Sequence, residues 1–397
     1  MKKILIVGAG YGGLRALEHL AKNPAFIVTL IDKNPYHYMQ TESYGYIAGR
    51  FDISDIAIDL ASFVDGFGDN VTFIKDKALH IDKEKKTLTL TNQTLHFDYA
   101  IIAVGAQTNF FSFIEGAKEH THGVKNIQRA FEFRQAFEKR LYLKLEDKKL
   151  NRDGDLHVAI AGAGLSGVEI AAEMAYTLKR YHKILSRKSI ELKISLIDAA
   201  PTILPGMDEF IIKKTEKRLA DLGVKTYTEA FIQKINSRKI IYKDGTSLAF
   251  DFIIYTAGIK ASLFAENIAC ERNRQEQIIP DAFLRLPHSE DIYVIGDCAE
   301  IKDASGTLLP PTAQIAEKSA EYVAKSILQC ECHEACEPFD AKVDGVFVAL
   351  GGEYAVGVLY KHIKVEGYLA YLLKKLLTRF YRFGLEIKVN VGYKKRD

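Results

Sequence analysis

The pattern Gly-x-Gly-x-x-Gly occurs twice in this chain, each time between an apolar run and a helix-compatible segment. The first copy, Gly8-Ala-Gly10-Tyr-Gly-Gly13, follows Ile4-Leu-Ile-Val7. The second, Gly162-Ala-Gly164-Leu-Ser-Gly167, follows Val158-Ala-Ile-Ala161 and begins 154 residues downstream. In such a turn the first glycine permits the tight bend and the second lets a pyrophosphate approach the backbone. The third lets the helix pack on the strand, and the helix N-terminus supplies amides and the positive end of its dipole. An acid closing the next strand accepts hydrogen bonds from ribose hydroxyls. Asp32 stands 19 residues after Gly13, ending Phe26-Ile-Val-Thr-Leu-Ile-Asp32. Asp198 stands 31 residues after Gly167, the added length falling in the basic stretch 179–193. One such pattern is weak evidence. Two, each strand-preceded, helix-followed and closed by an aspartate, predict two dinucleotide-binding modules.

Further strands support an inserted arrangement. Asp98-Tyr-Ala-Ile-Ile-Ala-Val-Gly-Ala106 ends in small residues, and Asp251-Phe-Ile-Ile-Tyr-Thr-Ala-Gly258 is its counterpart. Asp291-Ile-Tyr-Val-Ile-Gly-Asp297 precedes a helical stretch over 311–328. The expected fold is α/β, with two Rossmann-like domains, the second inserted in the first. Residues 1–112 and 283–340 form one, 113–282 the other, and 341–397 a C-terminal segment. Asp198 would repel a 2′-phosphate, which favours NADH over NADPH. Tandem modules suit a flavin that collects a hydride, so one dinucleotide is expected to be FAD and the other NADH.

The chain resembles the type II NADH:quinone oxidoreductases, single-subunit flavoproteins with two dinucleotide-binding domains. The resemblance runs nearly its whole length. It rests on Asn34-Pro-Tyr-His-Tyr-Met-Gln-Thr41 with Ala48-Gly49, on Ala103-Val-Gly-Ala-Gln-Thr-Asn-Phe-Phe111, and on Gly296-Asp297. It rests also on Pro310-Pro-Thr-Ala-Gln-Ile-Ala316, on Ala355-Val-Gly-Val-Leu-Tyr360, and on Gly367 with Lys374-Lys375. The resemblance implies FAD in the first module, held by Gly8, Gly10, Tyr11, Gly12, Gly13, Asp32, Lys33, Thr41, Ala78, Gly105, Asp297, Ala313, Gln314 and Lys374. It implies NADH in the second, held by Gly162, Gly164, Gly167, Asp198 and Gly258. Glu169 matches the family's glutamate at the nicotinamide–flavin contact, and the helix dipole alone would also favour an acid there. Gln314 and Lys318 border the implied quinone pocket. Three departures stand there: Lys318 where the family often has glutamine or histidine, Tyr44-Gly45 for a His-Glu pair, and Glu317-Lys-Ser-Ala320 for a glutamine-rich run.

Cysteine usage narrows the chemistry. There are five, Cys270, Cys298, Cys330, Cys332 and Cys336, a set that fits a reducing compartment better than a disulfide framework. Disulfide reductases on this fold carry a Cys-x4-Cys pair near residues 40–46, where this chain reads Gln40-Thr-Glu-Ser-Tyr-Gly-Tyr46. No cysteine precedes Ile268, which argues against sulfide chemistry. Cys330-Glu-Cys332-His333-Glu-Ala-Cys336 is not a standard zinc spacing, so no metal is expected; redox sensing and a plain thiol-rich loop stay open.

The net charge of +3 gives no support to nucleic-acid binding. That sum hides an asymmetry: residues 361–397 hold ten Lys+Arg against three Asp+Glu, leaving 44 against 48 elsewhere. No apolar run reaches the ~20 residues of a membrane span, and Met1-Lys2-Lys3 leads into too short a run for a signal peptide. On a helical wheel, residues 368–383 separate leucines and phenylalanines from Lys374, Lys375, Thr378, Arg379 and Arg382. A basic amphipathic helix of this kind lies in a membrane surface, with anionic lipid as partner; a core-docked or dimer-forming helix is the alternative. The expectation is a peripheral enzyme on the cytoplasmic face of the cell membrane that oxidises NADH and reduces membrane quinone without pumping protons, a homodimer being left open. Two other readings remain: a soluble NADH-dependent reductase of a ferredoxin- or rubredoxin-type carrier, and a flavin-bound NADH sensor.

Overall fold

The computed structural model describes residues 1–147, 156–184 and 192–390. The first module opens with β1 (Lys2–Val7), α1 (Tyr11–Leu20) and β2 (Phe26–Asp32), then adds β3 (Val71–Lys75) and β4 (Tyr99–Ile102). The second repeats the order with β5 (Leu156–Ala161), α2 (Leu165–Ile184), β6 (Leu192–Ile197), α3 (Glu209–Leu222), β7 (Lys225–Tyr227) and β8 (Phe252–Tyr255). The chain returns to the first module through β9 (Ile292–Val294) and α4 (Ala313–Glu331). It ends in a hairpin-connected sheet, β10 (Gly345–Ala349), β11 (Ala355–Leu359) and β12 (Ile363–Gly367), and in α5 (Tyr368–Asn390).

Both main sheets are parallel and share the placement of four strands, differing in whether the fifth, an edge strand, comes last or first in the chain. The first runs β9-β4-β1-β2-β3, the second Gly123's short strand (His122–Gly123)-β8-β5-β6-β7. The registers agree as well: Val7 pairs with Ile31, and Ala161 with Ile197. Each glycine turn therefore leaves a central strand where its neighbours diverge, the position at which open α/β sheets bind ligands. The central strands read as unbroken apolar runs because they are covered on both faces; Ile4, Ile6, Val158 and Ile160 are fully buried. Strands of the second sheet all lie between residues 122 and 255, and the first sheet resumes at Ile292, so the second module is an insertion. Ala106–Thr108 pairs antiparallel with Ile259–Ala261 and joins the two modules at their seam.

Local chemistry sets the ends of the elements. Asp208 caps α3 by accepting the Phe210 amide at 2.8 Å, and Gly223 ends that helix at φ +80°. The C-terminal helix α5 packs on the short helix Leu60–Val64 and on β11. Among the described residues, no helix is long and apolar enough to cross a membrane.

Candidate active site

The two glycine turns are superimposable in their chemistry. Gly8 has φ +107° and Gly162 φ +111°, a region that side chains rarely adopt. A Cβ on Gly162 would meet Ala257 N at 2.5 Å, and one on Gly8 would run into the Ala103 carbonyl. A Cβ on Gly13 or Gly167 would strike the carbonyl oxygen of Gly8 or Gly162. Gly10 and Gly164 differ: a Cβ there would find no protein atom within 4 Å. The fold itself explains the first and third glycines. The middle one faces a cradle open to a ligand, and this fits a pyrophosphate.

The aspartates brace these turns. Asp32 Oδ2 accepts the Ala9 amide at 2.8 Å and Oδ1 the Asn34 amide at 2.8 Å. Asp198 Oδ2 accepts the Ala163 amide at 2.6 Å and Oδ1 the Ala200 amide at 2.8 Å. Unequal sequence spacing thus ends in equal geometry. Burial pushes the Asp32 carboxyl above the ordinary range, and its two amides pull it back.

A cleft of about 830 Å³ opens from the first turn toward the second module. Gly8, Gly10, Tyr11, Gly12, Asp32, Lys33, Thr41, Ala78, Gly105, Asp297, Ala313, Gly258, Glu169 and Lys374 all line it. The Tyr11 and Thr41 hydroxyls share a hydrogen bond of 2.7 Å, and Asp297 lies 3.6 Å from Lys125. Gly12 lets α1 approach α4, since its Cβ would stand 3.1 Å from the Ala316 carbonyl. The Gly162, Gly164 and Gly167 turn and Asp198 sit behind the second-module wall, where Leu165, Ser166 and Glu169 reach the cleft. Lys125, Asn126, Gln107 and Phe347 also line it. Gln107 stands in the 103–111 run, but no motif marks the adjacent Lys125 and Asn126 or the distant Phe347.

Gln314 and Lys318 are placed elsewhere. Gln314 donates to Asp344 Oδ2 at 3.0 Å and accepts the Asp344 amide at 3.1 Å. Lys318 Nζ reaches Asp344 at 2.7 Å and the Lys342 carbonyl at 2.7 Å. The reason is helical rotation: Ala313 and Ala316 turn one face of α4 to the cleft, and 314 and 318 share the next.

Glu169, in the opening turns of α2, is buried and accepts the Ala349 amide at 2.9 Å. It also pairs with Lys374 of α5, whose ammonium lies 5.1 Å from the Tyr44 ring centre. One turn on, the buried Glu173 meets Arg50 at 3.1 Å. Arg50 also donates to the Gly352 carbonyl at 2.7 Å and to the Tyr371 hydroxyl at 3.1 Å. Thr378 donates to Glu42 at 3.0 Å. Burial holds the carboxyls of Glu42 and Glu173 above the ordinary range. This cluster, spread over positions 42 to 378, had no signal in the sequence beyond Glu169 and Lys374.

The first turn meets α5 a second time. The fully buried His37 donates from Nδ1 to the Ala9 carbonyl at 2.8 Å, so its Nε2 accepts the Tyr381 hydroxyl at 3.1 Å. Burial lowers this imidazole to about 4. Tyr11 packs edge-on against His37, with ring centres 5.0 Å apart, and burial raises its phenol. Nearby on α4, burial pushes Glu317 up to about 7, against the pull of Arg15.

The faces of α5 correct one expectation. Its polar side is turned inward: Lys374 pairs with Glu169, Arg382 with Asp55 at 3.1 Å, and Lys388 with Glu18 at 2.6 Å. Its apolar side is outward, with Leu377 60%, Phe380 71% and Phe383 60% exposed. Lys374, Arg382 and Lys388 are engaged by carboxylates of the body, Lys375 donates to the Tyr371 hydroxyl and Arg379 is exposed, so hydrocarbon dominates the outward surface of the helix. The basic positions 394–396 lie outside the described residues.

Two dinucleotide cradles, one opening on the cleft and the other behind its second-module wall, define a two-domain pyridine-nucleotide oxidoreductase. The pyridine nucleotide-disulphide oxidoreductase family model matches residues 2–320. A type II NADH:quinone oxidoreductase of Staphylococcus aureus is 30% identical over 393 residues, 95% of this chain and 94% of that protein. One of Staphylococcus epidermidis is 29% identical over 419 residues, 99% of this chain and 98% of that protein. NDH2 of Plasmodium falciparum, solved in complex with NADH, has the same fold at a TM-score of 0.83 and 21% identity, covering 100% of this chain and 99% of that one. The chain belongs to the type II NADH:quinone oxidoreductases, within the pyridine nucleotide-disulphide oxidoreductase family.

Proposed function

We propose that the chain oxidises NADH and reduces a quinone by two electrons, without pumping protons. One observation carries this reading: Glu169 of the second module, the first glycine turn and Lys374 of α5 face a single cleft. Nucleotide and flavin sites thereby converge. The Gly10 turn with Asp32, Thr41, Ala78, Gly105, Asp297 and Ala313 would hold FAD, which supplies a two-electron carrier between nicotinamide and quinone.

The chain's own residues bind and orient. Gly164 leaves room for the NADH pyrophosphate, and Asp198 offers its carboxylate where a 2′-phosphate would be repelled. Glu169 orients the nicotinamide, and Lys374 balances its charge at the contact. Gln314 and Lys318 would meet a quinone once the Lys342 and Asp344 contacts yield. The outward leucines and phenylalanines of α5 support peripheral attachment to the membrane, near lipid-dissolved quinone, and the cytoplasmic face is the side that this reading assigns.

Steady-state kinetics of the flavin-loaded protein with a short-chain soluble quinone test this. Saturable NADH oxidation coupled to quinone reduction, with NADPH a poorer donor, is expected. A loaded protein that ignores quinones yet reduces an iron–sulfur carrier would overturn it.

A further inference from the structure

Three of the five cysteines gather where α4 ends, about one helix length from its cleft-facing turn. The chain reverses there through a fixed set of backbone bonds. The Leu328 carbonyl accepts the Cys332 amide at 3.1 Å, the Cys330 carbonyl accepts the His333 amide at 3.1 Å, and the Gln329 carbonyl accepts the Glu334 amide at 2.8 Å. His333 sits at φ +57°, the left-handed conformation that closes helices and that glycine usually supplies. The reversal carries Cys336 back over the last turn. Its Sγ comes to 3.9 Å from Cys330 Sγ and 3.7 Å from the Ser326 carbonyl oxygen. Both thiols are half-buried, whereas Cys332 is exposed.

We propose that Cys330 and Cys336 form a reversible disulfide, closed by a hydroperoxide and reopened by a dithiol. Approach by roughly 2 Å brings the sulfurs to bonding distance, and the backbone bonds above already hold the loop in place. The site is a dithiol and not a metal clip: among the described residues, no three His, Cys, Asp or Glu side chains could hold a metal ion. It also differs from Cys298, a buried thiol without a facing sulfur, which burial pushes up to about 12. Burial, and after it the neighbouring Cys330, raises the Cys336 thiol, which holds that sulfur protonated at neutral pH.

The step balances with hydrogen peroxide as oxidant. One thiolate attacks a peroxide oxygen, the O–O bond breaks, and hydroxide leaves to become water, giving a sulfenic acid. The second sulfur attacks the sulfenic sulfur, the S–S bond forms, and a second water leaves. Two electrons pass from the two sulfurs to the peroxide, and both thiol protons end in water.

Peptide mapping of the full chain tests this. The protein is exposed to hydrogen peroxide, alkylated after denaturation and cut with trypsin, and the peptide 326–342 is weighed. It is expected to carry two fewer alkyl groups than the untreated peptide, with Cys332 still alkylated, and to recover both after dithiothreitol. Cys332→Ser should leave that loss unchanged, and Cys330→Ser or Cys336→Ser should abolish it. Oxidation confined to Cys332, pairing of Cys332 with either neighbour, or three alkylatable thiols after a dose that oxidises free cysteine would each overturn the proposal.

Discussion

Gly10 and Gly13 lie three residues apart in one turn, yet a methyl group should act on them in different ways. Gly13→Ala drives its Cβ into the Gly8 carbonyl, so strand, turn and helix must move apart. Loss of soluble, folded protein is the expected outcome, read by expression yield and circular dichroism. Gly10→Ala meets no protein atom within 4 Å, so the chain should fold with near-native thermal stability. Its flavin content after purification should drop by at least about tenfold, equivalent to ~1.4 kcal/mol, because the methyl fills the pyrophosphate cradle. The Glu169–Lys374 pair makes a second residue-scale case. Lys374→Ala leaves a buried carboxylate without its cation and should cost about 3–5 kcal/mol of unfolding free energy. Adding Glu169→Gln to Lys374→Ala should restore most of it, as a double-mutant cycle by urea denaturation would reveal. Such residues were unequally legible. Glycines and aspartates of the turns could be read because backbone geometry within a few residues demands them. Glu42, Arg50 and Glu173 could not, since partners of each arrive from segments more than a hundred residues away. Gln314 and Lys318 were legible as a motif, but their direction depends on the rotation of α4 against Asp344.

At the scale of an element, α5 is the instructive case. The wheel of its sequence separates apolar from basic residues, but a wheel does not say which side meets the protein. Ion pairs to Glu169, Asp55 and Glu18 turn the basic side inward and leave the hydrocarbon outside. An exposed apolar stripe of this kind marks an interaction surface. Two sets of substitutions should therefore separate. Replacing Leu377, Phe380 and Phe383 by serine removes side chains each worth about 1.5–3 kcal/mol when buried. Co-sedimentation with liposomes should fall by more than about tenfold, with thermal stability unchanged. Replacing Arg382 and Lys388 by glutamine should instead lower the melting temperature and affect lipid partition less. If the charged pair proves the stronger determinant of sedimentation, with anionic lipid required, the outward hydrocarbon is not the anchor. The parallel sheets, by contrast, were readable in advance, because strands buried on both faces leave unbroken apolar runs. The pairing of the three-stranded C-terminal sheet was not legible, because its strands are short and rest on α5 and on α2, which comes from another part of the sequence.

For the molecule as a whole, the buried His37 and the half-buried Glu317 should give opposite pH dependences in overlapping windows. His37 links the first glycine turn to α5 and is held neutral, with its folded value lowered to about 4 from an ordinary 6.5. Between those values the unfolded chain takes up a proton that the folded protein refuses. Its contribution is therefore complete above pH 6.5 and is lost as pH falls toward 4, by up to about 3 kcal/mol. Glu317, facing Arg15, Glu18 and Glu321, runs the other way, raised to about 7 from 4.5. Here the folded protein keeps a proton that the unfolded chain has released, so the contribution is complete below 4.5 and is lost as pH rises through 7. Partial exposure makes it the smaller of the two. The wild-type curve sums both, and single variants should separate them. His37→Gln should be less stable than wild type at pH 7.5, with the difference narrowing on acidification. Glu317→Gln should be more stable than wild type at pH 8, and that advantage should vanish near pH 4.5. Melting temperatures taken by calorimetry from pH 4.5 to 8 decide the matter: curves for either variant that run parallel to wild type would show that the corresponding group does not couple proton binding to folding.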